Sequence, residues 1–306
     1  MPGFCACALT PVEREGMMMP VLDNGSFAAE LNGFEIHYEV HGQGPVVMTV
    51  PNSWGLTLDG LRGLYRRLEG DLTMVYFDPR GMGGSGPVRE DGDMGMAAVR
   101  ADFDALRRHL GLDRVSAIGW SNGAMNLILL AAENPETIEA AVFVHGAANF
   151  DEEDLQRYAE RQPVLTRRWT ELDRELRSPG VSPGERTARL KAFWVGELLP
   201  ASCADPAAAR PLLAELFREA EFSWAHADHA NREAPVFEAR GRLSEITARC
   251  LVVAGAHDSL APEKVRELHE GLADSRFLLL EHSGHFAPVE EPEPFRAAVL
   301  DFLGVS

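Results

Sequence analysis

A serine flanked by two glycines lies in the first half of the chain, in the run Gly119-Trp120-Ser121-Asn122-Gly123. This run matches the pattern G-x-S-x-G, in which a strand turns sharply into a helix and leaves the serine hydroxyl exposed. Glycine at positions 119 and 123 removes the side chains that would collide in so tight a turn. The pattern marks Ser121 as a candidate nucleophile, although the same letters also form ordinary turns.

Ser121 would need two partners, because a serine hydroxyl is a poor nucleophile at neutral pH. A histidine must take its proton, and a carboxylate must orient that histidine. Among the ten histidines we favour His285, which follows the last predicted strand, over His282, which lies nearer the strand end. For the carboxylate we favour Asp258, which follows the apolar run Cys250 to Ala254. Asp258 could instead cap the helix that begins at Pro262, but it lies too far upstream of that helix.

Three short apolar runs are predicted to bring these side chains together. They are Val115 to Gly119, Cys250 to Ala254 and Phe277 to Leu280, and each is typical of a buried strand. The loops that follow the strands of a parallel sheet emerge at one edge of that sheet. The chain order serine, aspartate, histidine is also the order expected for such an arrangement.

An oxyanion hole requires two backbone N–H groups directed at the developing negative charge. We predict the first at Asn122, directly after the serine. The second is predicted in the loop Pro51-Asn52-Ser53-Trp54-Gly55, which follows the apolar run Val46 to Val50. Ser53 is the first choice and Trp54 the second, whereas Asn52 could be a plain turn former.

The remaining pattern predicts an α/β domain interrupted by helices. Strand-like and helix-like apolar runs alternate up to residue 148 and resume after residue 237, which predicts a mostly parallel sheet flanked by helices. Asn32-Gly33 predicts a hairpin between the first two strands. From about Asn149 to Val236 the chain is densely charged and interrupted by proline. We therefore predict a poorly ordered leader at 1–25, an α/β core at 26–148 and 237–306, and a helical cap at 149–236.

The loop from Asp78 to Gly86 is rich in glycine, which raises the question of a phosphate site. No Gly-Lys-Ser/Thr follows it, and no dinucleotide-binding spacing fits. We therefore predict a structural turn with a contact between Asp78 and Arg80, and no phosphate site.

The composition narrows the classes of function. With 29 Lys and Arg against 47 Asp and Glu, the formal charge of −18 would repel nucleic acids and anionic membranes. The four cysteines, at positions 5, 7, 203 and 250, lack the spacing of a metal site or a disulfide framework. Without a membrane-spanning run or a signal-peptide core, the expectation is a cytoplasmic protein with no metal, nucleic-acid or membrane partner.

Four stretches together resemble the α/β-hydrolase superfamily, and the resemblance extends from about residue 27 to 303. They are the loop from Asp78 to Ser85, the elbow at Ser121, Gly255-Ala256-His257-Asp258 and Gly284-His285-Phe286. The chain looks most like the proline iminopeptidase, carboxylesterase and lactonase relatives, whose helical cap follows the sixth strand. Iminopeptidases usually have His-Gly-Gly-Pro-Gly in place of Pro51 to Gly55, and commonly tryptophan where this chain has Asn122.

The resemblance implies a cofactor-independent serine hydrolase that cleaves an ester, lactone or small amide through an acyl-enzyme. A small substrate with an apolar group would lie between the sheet edge and the cap, against tryptophans at 54, 120, 169, 194 and 224, of which we favour Trp54, Trp120 and Trp194. Recognition of a substrate amine would need cap carboxylates such as Glu197, Glu219 and Glu221. Carbon–carbon bond hydrolysis or perhydrolysis by the same triad, and a ligand-binding protein without catalysis, are the alternatives. The oligomeric state stays open.

Overall fold

The strands of the protein are arranged around one eight-stranded sheet. A computed structural model describes residues 10–14, 17–233, 236–259 and 262–305. In chain order, the strands are β1 (Thr10–Arg14), β2 (Met17–Val21), β3 (Gly25–Leu31), β4 (Phe34–Gly42), β5 (Val46–Val50), β6 (Thr73–Phe77), β7 (Val115–Trp120), β8 (Ile138–Val144), β9 (Asn149–Phe150), β10 (Phe237–Glu238), β11 (Arg249–Gly255) and β12 (Ser275–Leu280).

The order of strands across this sheet is β12-β11-β8-β7-β5-β6-β4-β3. Neighbouring strands are parallel except at β4, which is antiparallel to both β3 and β6. Every residue of β5 and β6 is buried, as expected of central strands that are covered on both faces. At the antiparallel edge, Asn32 and Gly33 have φ of 52° and 79°, which is the two-residue hairpin turn predicted from the sequence.

Helices cover both faces of the sheet, which confirms the predicted fold class. One layer, with the helices Gly95–His109, Asn122–Glu133 and Pro262–Gly271, buries Phe103, Leu127 and Val265. The other, with the helices Leu58–Tyr65 and Pro292–Leu303, buries Leu61 and Val299. In chain order, the helices are α1 (Leu58–Tyr65), α2 (Gly95–His109), α3 (Asn122–Glu133), α4 (Glu152–Arg161), α5 (Pro163–Leu176), α6 (Pro183–Phe193), α7 (Leu199–Ala201), α8 (Pro206–Leu216), α9 (Trp224–Glu233), α10 (Pro262–Gly271), α11 (Ala287–Glu290) and α12 (Pro292–Leu303), with 3₁₀ turns at Arg66–Leu68, Asp91–Asp93 and Arg240–Glu245 and a π-helical turn at Trp194–Leu198.

Helices α4 to α9 follow one another without a strand of the main sheet between them. The short strands β9 and β10 pair antiparallel on either side of them, with Phe150 opposite Phe237. The chain therefore leaves and re-enters the α/β layers at one place. We call the helical part the cap and keep its predicted bounds, 149–236, as a proposal.

The predicted leader, residues 1–25, lies partly outside the described residues. Within its described part, β1 and β2 form an antiparallel hairpin that is separate from the main sheet. No helix in the described part of the chain is long and apolar enough to cross a membrane.

The predicted contact between Asp78 and Arg80 is wrong. The Arg80 guanidinium donates from Nε and Nη2 to the two carboxylate oxygens of Asp102, at 2.7 and 2.8 Å. The Asp78 carboxylate instead accepts from the Leu58 amide, at 2.8 Å, and lies 2.8 Å from Nδ1 of His37. Leu58 opens α1, and the first amides of a helix have no acceptor within the helix. Asp78 thus accepts a hydrogen bond from the first turn of α1, a contact that cannot be predicted from the residues next to Asp78 in the sequence.

The cap is joined to two loops at the carboxyl edge of the sheet. The Ser223 amide donates to the Gly55 carbonyl at 3.1 Å, and the Thr57 amide donates to the Glu221 carbonyl at 3.2 Å. In the loop after β12, the His285 amide donates to the Ser202 carbonyl at 2.8 Å. The cap therefore bonds to the loop after β5 and to the loop after β12.

Candidate active site

Ser121 occupies the sharp turn between β7 and α3. It has φ of 55° and ψ of −121°, a strained conformation for a residue other than glycine. A Cβ atom at Gly119 would overlap the Gly123 carbonyl, and one at Gly123 would overlap the Val50 carbonyl. The two glycines are therefore required for the steric reason that the sequence predicts. Ser121 also precedes the first turn of α3, where the helix dipole favours negative charge.

His285 and Asp258 are hydrogen-bonded to each other at the same edge of the sheet. Nδ1 of His285 lies 2.9 Å from both carboxylate oxygens of Asp258. The Asp258 side chain is fully buried, whereas the His285 side chain keeps 13% of its surface exposed. His285 and Ser121 line the same cleft, and the sequence alternative His282 does not. The structure thus brings together the three side chains that the sequence singles out.

The Asp258 carboxyl is ionised despite its burial. Burial alone would raise its pKa, but the electrostatic interaction with His285 and the hydrogen bonds with His145 and His285 outweigh that effect and hold the pKa well below its usual range. A permanent negative charge at this position can orient the His285 ring and stabilise its protonated form.

A second histidine, His145, contacts Asp258 and was not singled out from the sequence. Its Nδ1 lies 2.9 Å from Oδ2 of Asp258, and its Nε2 accepts from the Ala287 amide at 3.2 Å. These partners assign the proton to Nδ1, so His145 donates to Asp258. Burial lowers the pKa of His145, although the hydrogen bond to Asp258 opposes this, and the ring is therefore neutral.

A sequence signal for His145 did exist. The residue directly follows β8, the strand Ile138–Val144, and so lies at the carboxyl edge with the other site residues. Its φ of 54° is strained for a residue other than glycine, and its amide donates to the Val253 carbonyl at 2.9 Å. Applying the edge argument to every strand would have found it.

In the loop from Pro51 to Gly55, which was predicted to supply an oxyanion donor, the Ser53 amide already donates a hydrogen bond. The amide and the hydroxyl of Ser53 both donate to Oδ1 of Asn122, at 2.7 and 2.8 Å. The Ser53 amide, our first choice, is therefore already engaged. The Trp54 amide, our second choice, has no hydrogen-bond partner among the described residues. Asn122 is the first residue of α3, where a backbone N–H has no acceptor within the helix.

The cleft above Ser121 and His285 has two lobes, of about 330 and 510 Å³. Seven residues line both lobes: Trp54, Ser121, Phe150, Tyr158, Asn231, Ser259 and His285. The reactive pair thus lies where the lobes meet. A substrate centred on Ser121 would extend into a different lobe on each side.

The three favoured tryptophans occupy different positions around this cleft. Trp54 stands between the lobes, and Trp194 lines the larger lobe with its ring centroid 4.8 Å from that of Trp54. Trp120 borders the larger lobe but is only 1% exposed. It packs against Phe286 and donates from Nε1 to the His285 carbonyl at 2.7 Å. Trp120 therefore supports the histidine loop more than it forms a wall.

The trio His145, Asp258 and His285 also has the composition of a metal site. Their ligand atoms all lie within 4.8 Å of one another. Both histidine Nδ1 atoms, however, face the Asp258 oxygens at hydrogen-bonding distance. A cation would have to replace these hydrogen bonds, so the donor set fits a proton network better than a metal centre.

Comparison of the sequence and the fold with known proteins finds a matching family and several similar proteins. A family described as alpha/beta hydrolase fold matches residues 51–292. The human serine hydrolase BPHL is 25% identical over 89% of this chain and 84% of its own length. A proline iminopeptidase from Clostridioides difficile is 23% identical over 90% of this chain and 96% of its own. The solved enol-lactonase from Burkholderia xenovorans LB400 superposes with a TM-score of 0.68 at 22% identity, covering 90% of this chain and 99% of its own.

Proposed function

The chain belongs to the alpha/beta hydrolase fold family, and on that premise we propose that it is a serine hydrolase that cleaves an ester, lactone or small amide bond through an acyl-enzyme. One observation carries the proposal. Ser121 and His285 line one cleft, and His285 is bonded at 2.9 Å to the buried carboxylate of Asp258. No cofactor is required for this chemistry.

In the proposed reaction, the Ser121 hydroxyl attacks the carbonyl carbon of the substrate. Because Nδ1 of His285 donates to Asp258, its Nε2 has the free lone pair and takes the hydroxyl proton. His285 then passes this proton to the leaving group, and the acyl group stays on Ser121. Water activated by the same Nε2 releases the acyl group as an acid and restores the serine.

The developing oxyanion needs two donors. The Asn122 amide, at the start of α3, is the first. For the second, the Trp54 amide needs no rearrangement, whereas Ser53 can serve only if the Asn122 side chain releases its amide. The Asn122 side chain holds this loop by accepting from both the amide and the hydroxyl of Ser53.

The names of the relatives support this reaction class, since they include a serine hydrolase, a proline iminopeptidase and an enol-lactonase. Ester and lactone cleavage is favoured over peptidase activity. None of the three cap carboxylates predicted for amine recognition lines the cleft. Glu197 lies 2.7 Å from Arg168 in an ion pair, and Glu219 lies 3.0 Å from Arg218.

The test is the loss of activity and labelling when the nucleophile is removed. Ser121→Ala should lower kcat on p-nitrophenyl acetate by up to about 10⁶-fold and abolish labelling by a fluorophosphonate. Ser259→Ala is the matched control, because Ser259 lines the same cleft. Equal activity of Ser121→Ala and the wild type would overturn the proposal.

A substrate panel separates the alternatives. We expect turnover of p-nitrophenyl esters of graded length and little turnover of proline and alanine p-nitroanilides. Labelling without ester turnover would favour carbon–carbon bond hydrolysis or perhydrolysis by the same triad. Tight ligand binding without labelling would favour a non-catalytic binding protein. A cytoplasmic location and a small-molecule substrate with an apolar group complete the proposal.

A further inference from the structure

The two lobes of the cleft differ in their chemistry. The larger lobe is lined mainly by apolar side chains of the cap, among them Leu155, Leu165, Trp169, Trp194 and Leu199. The smaller lobe contains two arginines, Arg157 and Arg161, and one carboxylate, Asp154. A substrate that fills both lobes therefore has an apolar part and a polar part on opposite sides of the bond that is cleaved.

The charged groups of the smaller lobe all lie on one face of α4. Arg157 lies three residues after Asp154, and Arg161 lies four residues after Arg157, which is the spacing of side-chain neighbours on a helix; the polar Tyr158 lies on the same face. Arg157 and Arg161 are like charges at i and i+4, which is an unfavourable pair on an isolated helix. A negatively charged group beside Arg161 would offset that repulsion.

The two arginines are not equally available. Nη2 of Arg157 lies 2.7 Å from Oδ1 of Asp154, and its Nη1 lies 3.1 Å from Oε1 of Glu153. Lys264 lies 3.0 Å from Asp154 on its other oxygen. Arg161 has no carboxylate within ion-pair distance among the side chains that the structure describes. The lining of the smaller lobe therefore carries one positive charge that is not balanced.

We propose that the smaller lobe binds a carboxylate of the substrate, with Arg161 as the principal contact and Arg157 beside it. The substrate class is then an ester, lactone or amide with an apolar group at one end and a carboxylate at the other. This inference rests on the proposed function, because both lobes are defined relative to Ser121. A planar guanidinium matches a carboxylate through two parallel hydrogen bonds, and one unbalanced positive charge matches a single negative charge better than a doubly charged phosphate.

Recognition must be local. The whole chain carries a formal charge of −18, so its long-range field does not attract an anionic substrate. Discrimination would come from contact with Arg161 after the substrate enters the cleft, and it would therefore be seen mainly in KM.

The experiment compares two substrates that differ only in charge. They are the p-nitrophenyl monoester of adipic acid and the same ester with its free carboxylate capped as the methyl ester. We expect the wild type to prefer the acid in kcat/KM by about 10- to 100-fold, since a hydrogen bond to a charged group contributes roughly that factor. Arg161→Gln should lower kcat/KM about tenfold more for the acid than for the capped ester.

Two further variants make the result specific. Arg167→Gln removes an exposed arginine of the cap that does not line the cleft, and it should keep the wild-type preference. Arg161→Glu should reverse the preference, so that the capped ester becomes the better substrate.

The outcomes separate this inference from the proposed function. Equal kcat/KM of the wild type on both esters, or an equal loss on both in Arg161→Gln, would overturn the carboxylate site and leave the hydrolase intact. If the wild type turns over neither ester and Ser121 is not labelled by a fluorophosphonate, the proposed function fails and this inference fails with it. If Ser121 is labelled without turnover, slower labelling in the presence of monomethyl adipate than of dimethyl adipate would support the carboxylate site, and equal rates would refute it.

Discussion

Replacing His145 tests whether the site depends on a second hydrogen bond to its aspartate. His145→Ala removes the Nδ1 donor that lies 2.9 Å from Asp258 and leaves a fully buried carboxylate with one fewer partner. A hydrogen bond to a charged group contributes about 1.5–3 kcal/mol. If that energy is lost from the positioning of Asp258 and His285, kcat falls about 10- to 100-fold, because about 1.4 kcal/mol corresponds to a factor of ten.

His145→Asn is the matched variant. Asparagine tolerates the positive φ of this position and presents an N–H donor on a side chain of similar reach. We expect it to retain most of the kcat that His145→Ala loses. Both variants should leave KM unchanged, since His145 does not line the cleft.

The assay combines ester kinetics, the rate of fluorophosphonate labelling of Ser121, and thermal unfolding. Labelling should slow in proportion to kcat, because both depend on the activation of Ser121 by His285. A purely structural role would instead lower the thermal midpoint and the fraction of active protein, with kcat per labelled site unchanged. Wild-type kcat per labelled site in a folded His145→Ala protein would refute the reasoning.

Two further predictions concern the oxyanion loop and the response to acid. Asn122→Ala removes the acceptor of two Ser53 hydrogen bonds and should slow the acylation burst with a p-nitrophenyl ester about tenfold. A faster burst would instead mean that the Asn122 side chain blocks the Ser53 amide. Burial lowers the pKa of His226 below its ordinary value of 6.5. Below about pH 6.5 the unfolded chain therefore binds a proton that the native protein does not. The free energy of unfolding then falls as the pH drops, by at most about 1.4 kcal/mol per pH unit. Urea unfolding at pH 7.5 and 5.5 should show a smaller fall for His226→Gln than for the wild type and for the exposed control His282→Gln, and equal falls in all three would contradict this.

The strands and the main site residues could be predicted because their signals are local. The run Val46–Val50 is a strand with the predicted bounds, since five consecutive apolar or small residues between turn formers fit a buried central strand. Ser121, Asp258 and His285 each follow such a strand. Their common position at one edge of the sheet could therefore be predicted without knowing the distances between them.

The remaining features depend on contacts that are distant in sequence. Arg80 pairs with Asp102 on α2 and not with Asp78 two residues away, because the start of α1 takes the Asp78 carboxylate. The Ser53 amide is engaged by a side chain 69 positions later, in Asn122. Neither choice of partner follows from composition or periodicity, since several polar groups compete for each one.

The cap is attached to Gly55, Thr57 and His285 through backbone hydrogen bonds, and this has a consequence for how such an enzyme can be altered. The two loops that carry the oxyanion donors and His285 each bond to the backbone of the cap. The cap therefore cannot be exchanged without affecting the loops that carry the catalytic groups. A chimaera that takes its cap from a relative would keep a working core only if the donated segment reproduces the backbone contacts of Ser202 and of residues 221–223. Changes of specificity are better made on α4 and α5, whose side chains reach the cleft without bonding to either loop.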